Sequence, residues 1–241
     1  SNLTNNSQAA VADNGTFVYG DGAGTISSSG DVILTGSDSF GFYTVNGGAI
    51  ANSGNITGDT GVSNIGIYSK DGNIHNTGNI TVGDTVSGSS VAVYGSKKSI
   101  INNTGGTITA GENGLGFYLD NSTLNITGGS FNTGKGILVY AANESNVNYA
   151  AGNTVLGDKI GFYLDNSTAD FNSKEFTVLD NGVGMYVTNT QAGPVQQSAV
   201  KSLGKLILGS NATGIYLKNA DLEPVTSTDL SNRDFNADLF N

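Results

Sequence analysis

Asn64-Ile65-Gly66-Ile67-Tyr68-Ser69-Lys70-Asp71-Gly72-Asn73-Ile74-His75-Asn76-Thr77-Gly78-Asn79-Ile80-Thr81-Val82 holds one full turn of a repeat. It contains three short apolar runs, around Ile67, Ile74 and Ile80, separated by Gly, Asn and Asp. Residues of that kind punctuate turns. Apolar residues alternate with polar or small ones, the period of a strand and not of a helix. Working outward, a tyrosine closes the first run again and again, at Tyr19, Tyr43, Tyr68, Tyr94, Tyr118, Tyr140, Tyr163, Tyr186 and Tyr216. The spacings are 24, 25, 26, 24, 22, 23, 23 and 30 residues. Self-similarity at such a period marks a solenoid.

The residue before each tyrosine is apolar throughout: Val18, Phe42, Ile67, Val93, Phe117, Val139, Phe162, Met185 and Ile215. Three before it stand Phe40, Ile65, Val91, Leu115, Ile137, Ile160 and Val183, and later repeats carry Leu119, Leu164, Val187 and Leu217 one after it. Strict alternation places these three positions on one face, the core. It then turns the tyrosine outward, together with the glycine two before it (Gly41, Gly66, Gly116, Gly161, Gly184 and Gly214). A second strand is marked by Ile26, Ile50, Ile74, Ile100, Leu124 and Val147, and a third by Ile56, Ile80, Ile108, Phe131, Val155, Phe176 and Ile207.

The expected fold is therefore all-β: a right-handed parallel β-helix, or β-solenoid, of about nine three-stranded coils of ~24 residues. Leucine-rich repeats share the period but need a helical outer side, for which the Gly/Asn/Thr connections leave no room. Residues 1–15 read as a lead-in or partial coil, 16–225 as the β-helix and 226–241 as a tail, partial coil or cap. Strands of successive coils pair ~4.8 Å apart, giving a rod on the order of 40 Å long. One coil runs 14 residues from Tyr186 to its next core marker near Val200. The extra segment, with Thr190, Gln191, Gly193, Pro194 and Gln196, reads as a surface loop and a candidate binding loop.

Asparagine follows three residues after the tyrosine in six coils, as Asn46, Asn121, Asn143, Asn166, Asn189 and Asn219. Asn tolerates the left-handed backbone, and stacked amides can bond one another, so a structural turn ladder is expected. The same geometry accounts for triplets such as Asn55-Ile56-Thr57 without glycosylation. The outward tyrosines Tyr43, Tyr68, Tyr94, Tyr118, Tyr140, Tyr163, Tyr186 and Tyr216 form a candidate binding surface, since tyrosine offers an apolar body and a polar tip. The alternative is that the rings pack on one another and stiffen the rod.

Composition narrows the chemistry. Of 241 residues, 36 are glycine, 2 proline and none cysteine or tryptophan, and only 12% are charged. A formal net charge of −10 repels phosphate backbones and argues against a nucleic-acid partner. No apolar run approaches the ~18 residues of a membrane-spanning helix, and no signal-peptide pattern opens the chain. His75 is the only histidine, so neither a His-based triad nor a multi-His metal site is expected, and no cofactor. The near-copies Tyr118-Leu119-Asp120-Asn121-Ser122-Thr123 and Tyr163-Leu164-Asp165-Asn166-Ser167-Thr168 lie two coils apart. That puts Asp120 and Asp165 ~10 Å apart along the axis, farther than the about 5–9.5 Å at which paired carboxylates work in glycosidases. Some β-helices are polysaccharide-degrading enzymes, but a non-enzymatic chain is expected.

Segments such as Asn64 to Ile74, and Gly78-Asn79-Ile80-Thr81-Val82-Gly83, resemble the repeats of very large fusobacterial autotransporter adhesins, over about residues 16–220. In that family a signal peptide leads a long β-helical passenger and a C-terminal membrane barrel anchors it. The resemblance implies an outer-membrane-displayed, secreted passenger fragment that serves in adhesion and virulence, a monomer that binds a host or bacterial surface glycan or protein without itself touching membrane. A purely structural stalk is the alternative.

Overall fold

The computed structural model describes residues 1–58, 61–83, 89–134, 136–157, 159–191 and 197–220. Those residues form 27 strands and no helix, and every pairing between strands is parallel. Two sheets have nine strands each. The tyrosine sheet runs from Thr16–Asp21 to Thr213–Lys218, and the second sheet from Asn2–Asn5 to Ala199–Lys201. The third face is divided into a six-stranded sheet, Ala9–Val11 to Ser130–Asn132, and a three-stranded one, Thr154–Leu156 to Leu206–Leu208. Each strand's partner lies one coil away, so the chain is a β-solenoid of stacked coils. Residues 226–241, read as the tail, lie outside the described residues.

A single coil cannot bury its own apolar face; stacking makes one continuous core. That core contains Phe42, Ile67, Val93, Phe117, Val139, Phe162 and Met185, the residues before the tyrosines. They meet Ile26, Ile50, Ile74, Ile101, Leu124 and Val147 from the second sheet, and Ile56, Ile80 and Ile108 from the third. In the later coils the core turns aromatic. Phe131, Tyr149, Phe162, Phe171 and Phe176 form a cluster with centroid separations of 4.8–6.5 Å. Tyr149 is the one tyrosine outside the repeat. It is fully buried, and its hydroxyl is satisfied by Thr154 Oγ1 and Gly152 O.

Strict alternation fails at one place in the tyrosine strands. The residue three before the tyrosine is only half-buried in Phe40, Ile65, Leu115, Ile137, Ile160 and Val183, not in the core, while Val91 at the same position is buried. The Phe40 ring lies edge-on to Tyr43 at 5.1 Å, on the outer side. The position two before the tyrosine turns inward instead. Ala92 and Leu138 are buried core members there, and a Cβ on Gly66 would meet Ile80 Cγ2 at 2.9 Å. The strand bends at the corner with the third face, and the pairing register passes over this position in coil after coil. Two adjacent residues thus face inward, and everything before them swaps sides.

Three second- and third-strand markers are also corrected. Ile100 is exposed and Ile101 takes the core place, because Lys97 and Lys98 both adopt left-handed φ values (50° and 69°) and lengthen the turn by a residue. Val155 and Ile207 point outward, in register with Thr177, while Leu156 and Leu208 face in.

Polar side chains at the inward ends of strands are paired with one another. On the second sheet Asn52 Nδ2 donates to Asn76 Oδ1, and Asn76 Nδ2 to Asn103 Oδ1, both at 2.9 Å. All three amides are buried. Where the tyrosine sheet turns into the second, buried Ser99, Ser145, Ser167 and Ser198 accept backbone N–H bonds from Gly72, Ser122, Ser145 and Ser167 at 3.0–3.2 Å. Each hydroxyl also donates to a backbone carbonyl of its own turn. Burial of these groups is thus compensated.

The amide ladder has one loose end. Asn52 Oδ1 is buried without a partner, because the residue below it is Ser28, whose hydroxyl donates to Gly30 O. An unpaired buried acceptor costs about 1–3 kcal/mol. Ser28→Asn extends the ladder downward and supplies the missing donor. The expected result is a rise in unfolding free energy of about 1 kcal/mol, read by urea denaturation. A loss of stability would show that no room exists for the amide.

Candidate functional site: the tyrosine face

The nine tyrosines lie in lateral register on the tyrosine sheet, each paired with the next. Their rings touch without a gap: Tyr19–Tyr43 5.4 Å, Tyr43–Tyr68 4.5 Å, Tyr68–Tyr94 4.9 Å and Tyr94–Tyr118 4.5 Å. The run continues with Tyr118–Tyr140 5.1 Å, Tyr140–Tyr163 4.6 Å, Tyr163–Tyr186 4.9 Å and Tyr186–Tyr216 4.9 Å. The rung spacing of parallel strands brings the rings this close.

The ladder has three regimes, the first being the tilted pairs Tyr19–Tyr43 and Tyr43–Tyr68, at 34° and 31°. From Tyr118 to Tyr216 neighbouring planes differ by 3–22°, so the rings stack. Tyr94 stands at 87° and 81° to its neighbours, edge against face, and next to it Tyr68 pairs its hydroxyl with Ser96 Oγ at 3.0 Å. The stacked and the edge-on arrangement are both favourable for aromatic pairs, at roughly 0.5–1.5 kcal/mol each. In the stacked half the ring faces are spent on one another. What remains outward is a file of ring edges and hydroxyls, beside the half-buried aliphatics Leu115, Ile137, Ile160 and Val183. That second column was missed in the sequence because the bend moves it to the outer face.

Electrostatics follow from the packing. Burial raises the hydroxyls of Tyr43, Tyr94, Tyr118 and Tyr163 above the ordinary 10.0, with neighbouring rings or a carboxylate adding to it. Tyr140 is pushed up to about 12 by burial, then by Tyr163, Tyr118 and Asp165. The folded state therefore holds the phenol protonated more firmly than the unfolded chain does. Stability is fully present below pH 10 and is lost as the pH climbs toward 12. Absorbance at 295 nm, followed with the denaturation midpoint, checks this. Unchanged stability up to pH 12 would contradict it.

In the turn after each tyrosine, Asn46, Asn121, Asn143, Asn166 and Asn219 hold left-handed φ values of 48–57°; Asn189, in the coil with the extra segment, does not. Their amides do not bond one another in a column. Asn46 and Asn143 donate to Asp21 and Asp120 in the coil below. Asn121 and Asn189 donate to the backbone carbonyls of Asn143 and Asn219 in the coil above. At this turn position the amide meets a neighbour's backbone or carboxylate, whether φ is positive or, as in Asn189, not. Amide-to-amide ladders lie instead within the strands of the second sheet, at Asn52, Asn76 and Asn103 on its inner side and at Asn102, Asn125 and Asn148 on its outer side, where an extended backbone keeps the side chains aligned.

The duplicated carboxylates serve the turns. Asp120 and Asp165 are separated in register by Ala142. Asp165 accepts the N–H and hydroxyl of Thr190 at 2.8 and 2.6 Å. Gln191 N donates to Asn166 Oδ1 at 2.9 Å, so Thr190 and Gln191 are tied to the coil below. Gly193, Pro194 and Gln196 of the candidate loop lie outside the described residues. His75 is exposed on the second sheet, between Ala51 and Asn102 in register. Among the described residues no group of three or more His, Cys, Asp or Glu side chains is placed to hold a metal ion.

Comparison with family models, with curated proteins and with solved structures finds no match to this chain.

Proposed function

We propose that this chain is a segment of a surface-exposed adhesive rod, of the kind that forms the passenger of the autotransporter adhesins its repeats resemble, and that it is not an enzyme. The reading is carried by the band on the tyrosine sheet, where a column of rings and a column of aliphatics run side by side, half-exposed, along the coils. An apolar band that recurs coil after coil, its aliphatic column broken at the buried Val91, marks an interaction surface more often than a neutral one. The carboxylates that might have carried glycan hydrolysis are engaged in turns. The site is proposed to bind a glycan or protein of a host or bacterial surface, and the protein to be a monomer displayed outside the outer membrane.

Ring-on-ring packing favours a second reading, a stalk with no ligand of its own. Beads coated with the protein separate the two. The expected result is adhesion to host or bacterial cells, lowered at least tenfold by the double substitution Tyr140→Ser and Tyr163→Ser in a protein that keeps its strand content. No adhesion by the unaltered protein would favour the stalk.

A further inference from the structure

We infer that the outer face of the second sheet carries a second binding site, a notch in the first coils that takes one neutral, hydroxyl-rich sugar ring. The outward column of this sheet runs Thr4, Ser27, Ala51, His75, Asn102, Asn125 and Asn148 in register. Above His75 the column is filled, because Asn125 Nδ2 donates to Asn102 Oδ1 at 2.9 Å and Asn148 Nδ2 to Asn125 Oδ1 at 2.8 Å. Below His75 the side chains shorten to Ala51 and Ser27. The surface drops there into a groove of about 210 Å³. At about 30 Å³ per water that is the room of about seven waters, enough for a single small ring.

The lining selects the chemistry. No charged side chain lines the groove, which argues against an ionic ligand. Its turn-side wall holds three hydroxyls whose protons are already committed. Ser29 Oγ donates to Asn6 Oδ1 at 2.9 Å, Ser53 Oγ to Ser28 O at 3.1 Å and Thr77 Oγ1 to Asn52 O at 3.3 Å. Each oxygen keeps lone pairs to accept with. A ligand that fits therefore brings several donors to this wall and no negative charge, and it can accept from the hydroxyls of Thr4 and Ser27 and the amide of Asn6, which also line the groove. His75 closes the upper end with a ring that can donate or accept. A pyranose, whose hydroxyls both donate and accept, meets these demands, whereas a carboxylate or phosphate finds no lysine or arginine in the lining to offset its charge.

This site stands apart from the tyrosine band, and the test is built so that the two can fail separately. Saturation-transfer NMR is run with neutral hexoses and N-acetylhexosamines, with glucuronic acid as the anionic control. The expected result is saturation of at least one neutral sugar, with dissociation constants in the millimolar range, and none of glucuronic acid. Ala51→Phe fills the floor and should weaken binding at least tenfold. His75→Ala, on an exposed position, should weaken it severalfold. Tyr163→Ser, on the other sheet, should leave it unchanged. Absence of binding by every neutral sugar, or full binding by the Ala51→Phe protein, would overturn the site. Neither outcome bears on adhesion through the tyrosines.

Discussion

Phe162→Ala is expected to cost about 3–5 kcal/mol of unfolding free energy, the range for truncating a buried aromatic. Phe162 is fully buried where three elements of the core meet. Its ring lies 4.8 Å from Phe171, 5.5 Å from Phe176 and 6.0 Å from Tyr149, three partners drawn from the second sheet, the three-stranded sheet and the turn between them. Aromatic rings relax poorly around a lost neighbour, so the cavity persists and adds to the transfer cost. The consequence in a solenoid differs from that in a globule. Each coil contacts only its neighbours, and stability is a sum along the stack. Weakening one coil thus invites the stack to open there while the first coils, with their aliphatic core of Ile50, Ile74 and Ile80, hold. Urea unfolding should move to lower concentration and broaden or divide. Native-state hydrogen exchange should quicken first in Leu156, Phe162 and Val178, and later in Ile50 and Ile74. A shift below about 1 kcal/mol, or uniform acceleration across the chain, would contradict this picture of the core.

How far the sequence could be read depended on which rule survived three dimensions. The period and the residue before each tyrosine were readable because parallel stacking repeats one environment, so Phe42, Ile67 and Phe117 repeat one solution to it. The outward tyrosine was readable from the same alternation. Alternation then failed two residues earlier, since a strand that rounds a corner turns two neighbours to the same side; Gly66 and Leu138 went in, and Ile65 and Ile137 went out. Nothing in the residue types announces that bend. Ile100 was read for Ile101 because two consecutive left-handed residues, here lysines, are rare. The buried amides were the largest omission. Asn52-Ser53-Gly54 and Asn76-Thr77-Gly78 recur one coil apart, but Asn before Ser/Thr-Gly suits a solvated turn equally well. Whether the amide points in or out depends on how far the strand extends before it turns. The notch at Ala51 left no trace either, as it arises from the order of small and large side chains across coils, not along them.

Gly78→Ala is expected to be as damaging as many core truncations, although it adds one methyl. A Cβ at Gly78 would sit 2.0 Å from the carbonyl oxygen of Gly54, in the coil below, and 2.8 Å from Asn52 Nδ2. The same contact recurs up the stack: Gly54 against Gly30 O at 2.2 Å, and Gly106 against Gly78 O at 2.1 Å. The obstacle is backbone, which cannot rotate away, so the coils must part at this corner. Parting them also loosens the amide bonds Asn52–Asn76 and Asn76–Asn103, whose 2.9 Å lengths depend on the same spacing. Overpacking costs about 1–3 kcal/mol where neighbours can shift, and this position belongs at or above the top of that range. The tyrosine-sheet glycines offer a contrast. A Cβ on Gly66 would lie 2.6 Å from Ala92 O, yet the equivalent places in two other coils are filled by Ala92 and Leu138. That corner has some give, and Gly66→Ala should cost less than Gly78→Ala. Gly152→Ala is the control, since nothing lies within 4 Å of its added Cβ. It should be neutral within about 0.5 kcal/mol, or slightly stabilising through the lost freedom of the unfolded chain. Denaturant midpoints of the three variants should rank Gly78→Ala lowest, then Gly66→Ala, then Gly152→Ala beside the unaltered protein. The reverse order for Gly78 and Gly152 would mean that the close backbone approach between coils does not constrain this corner.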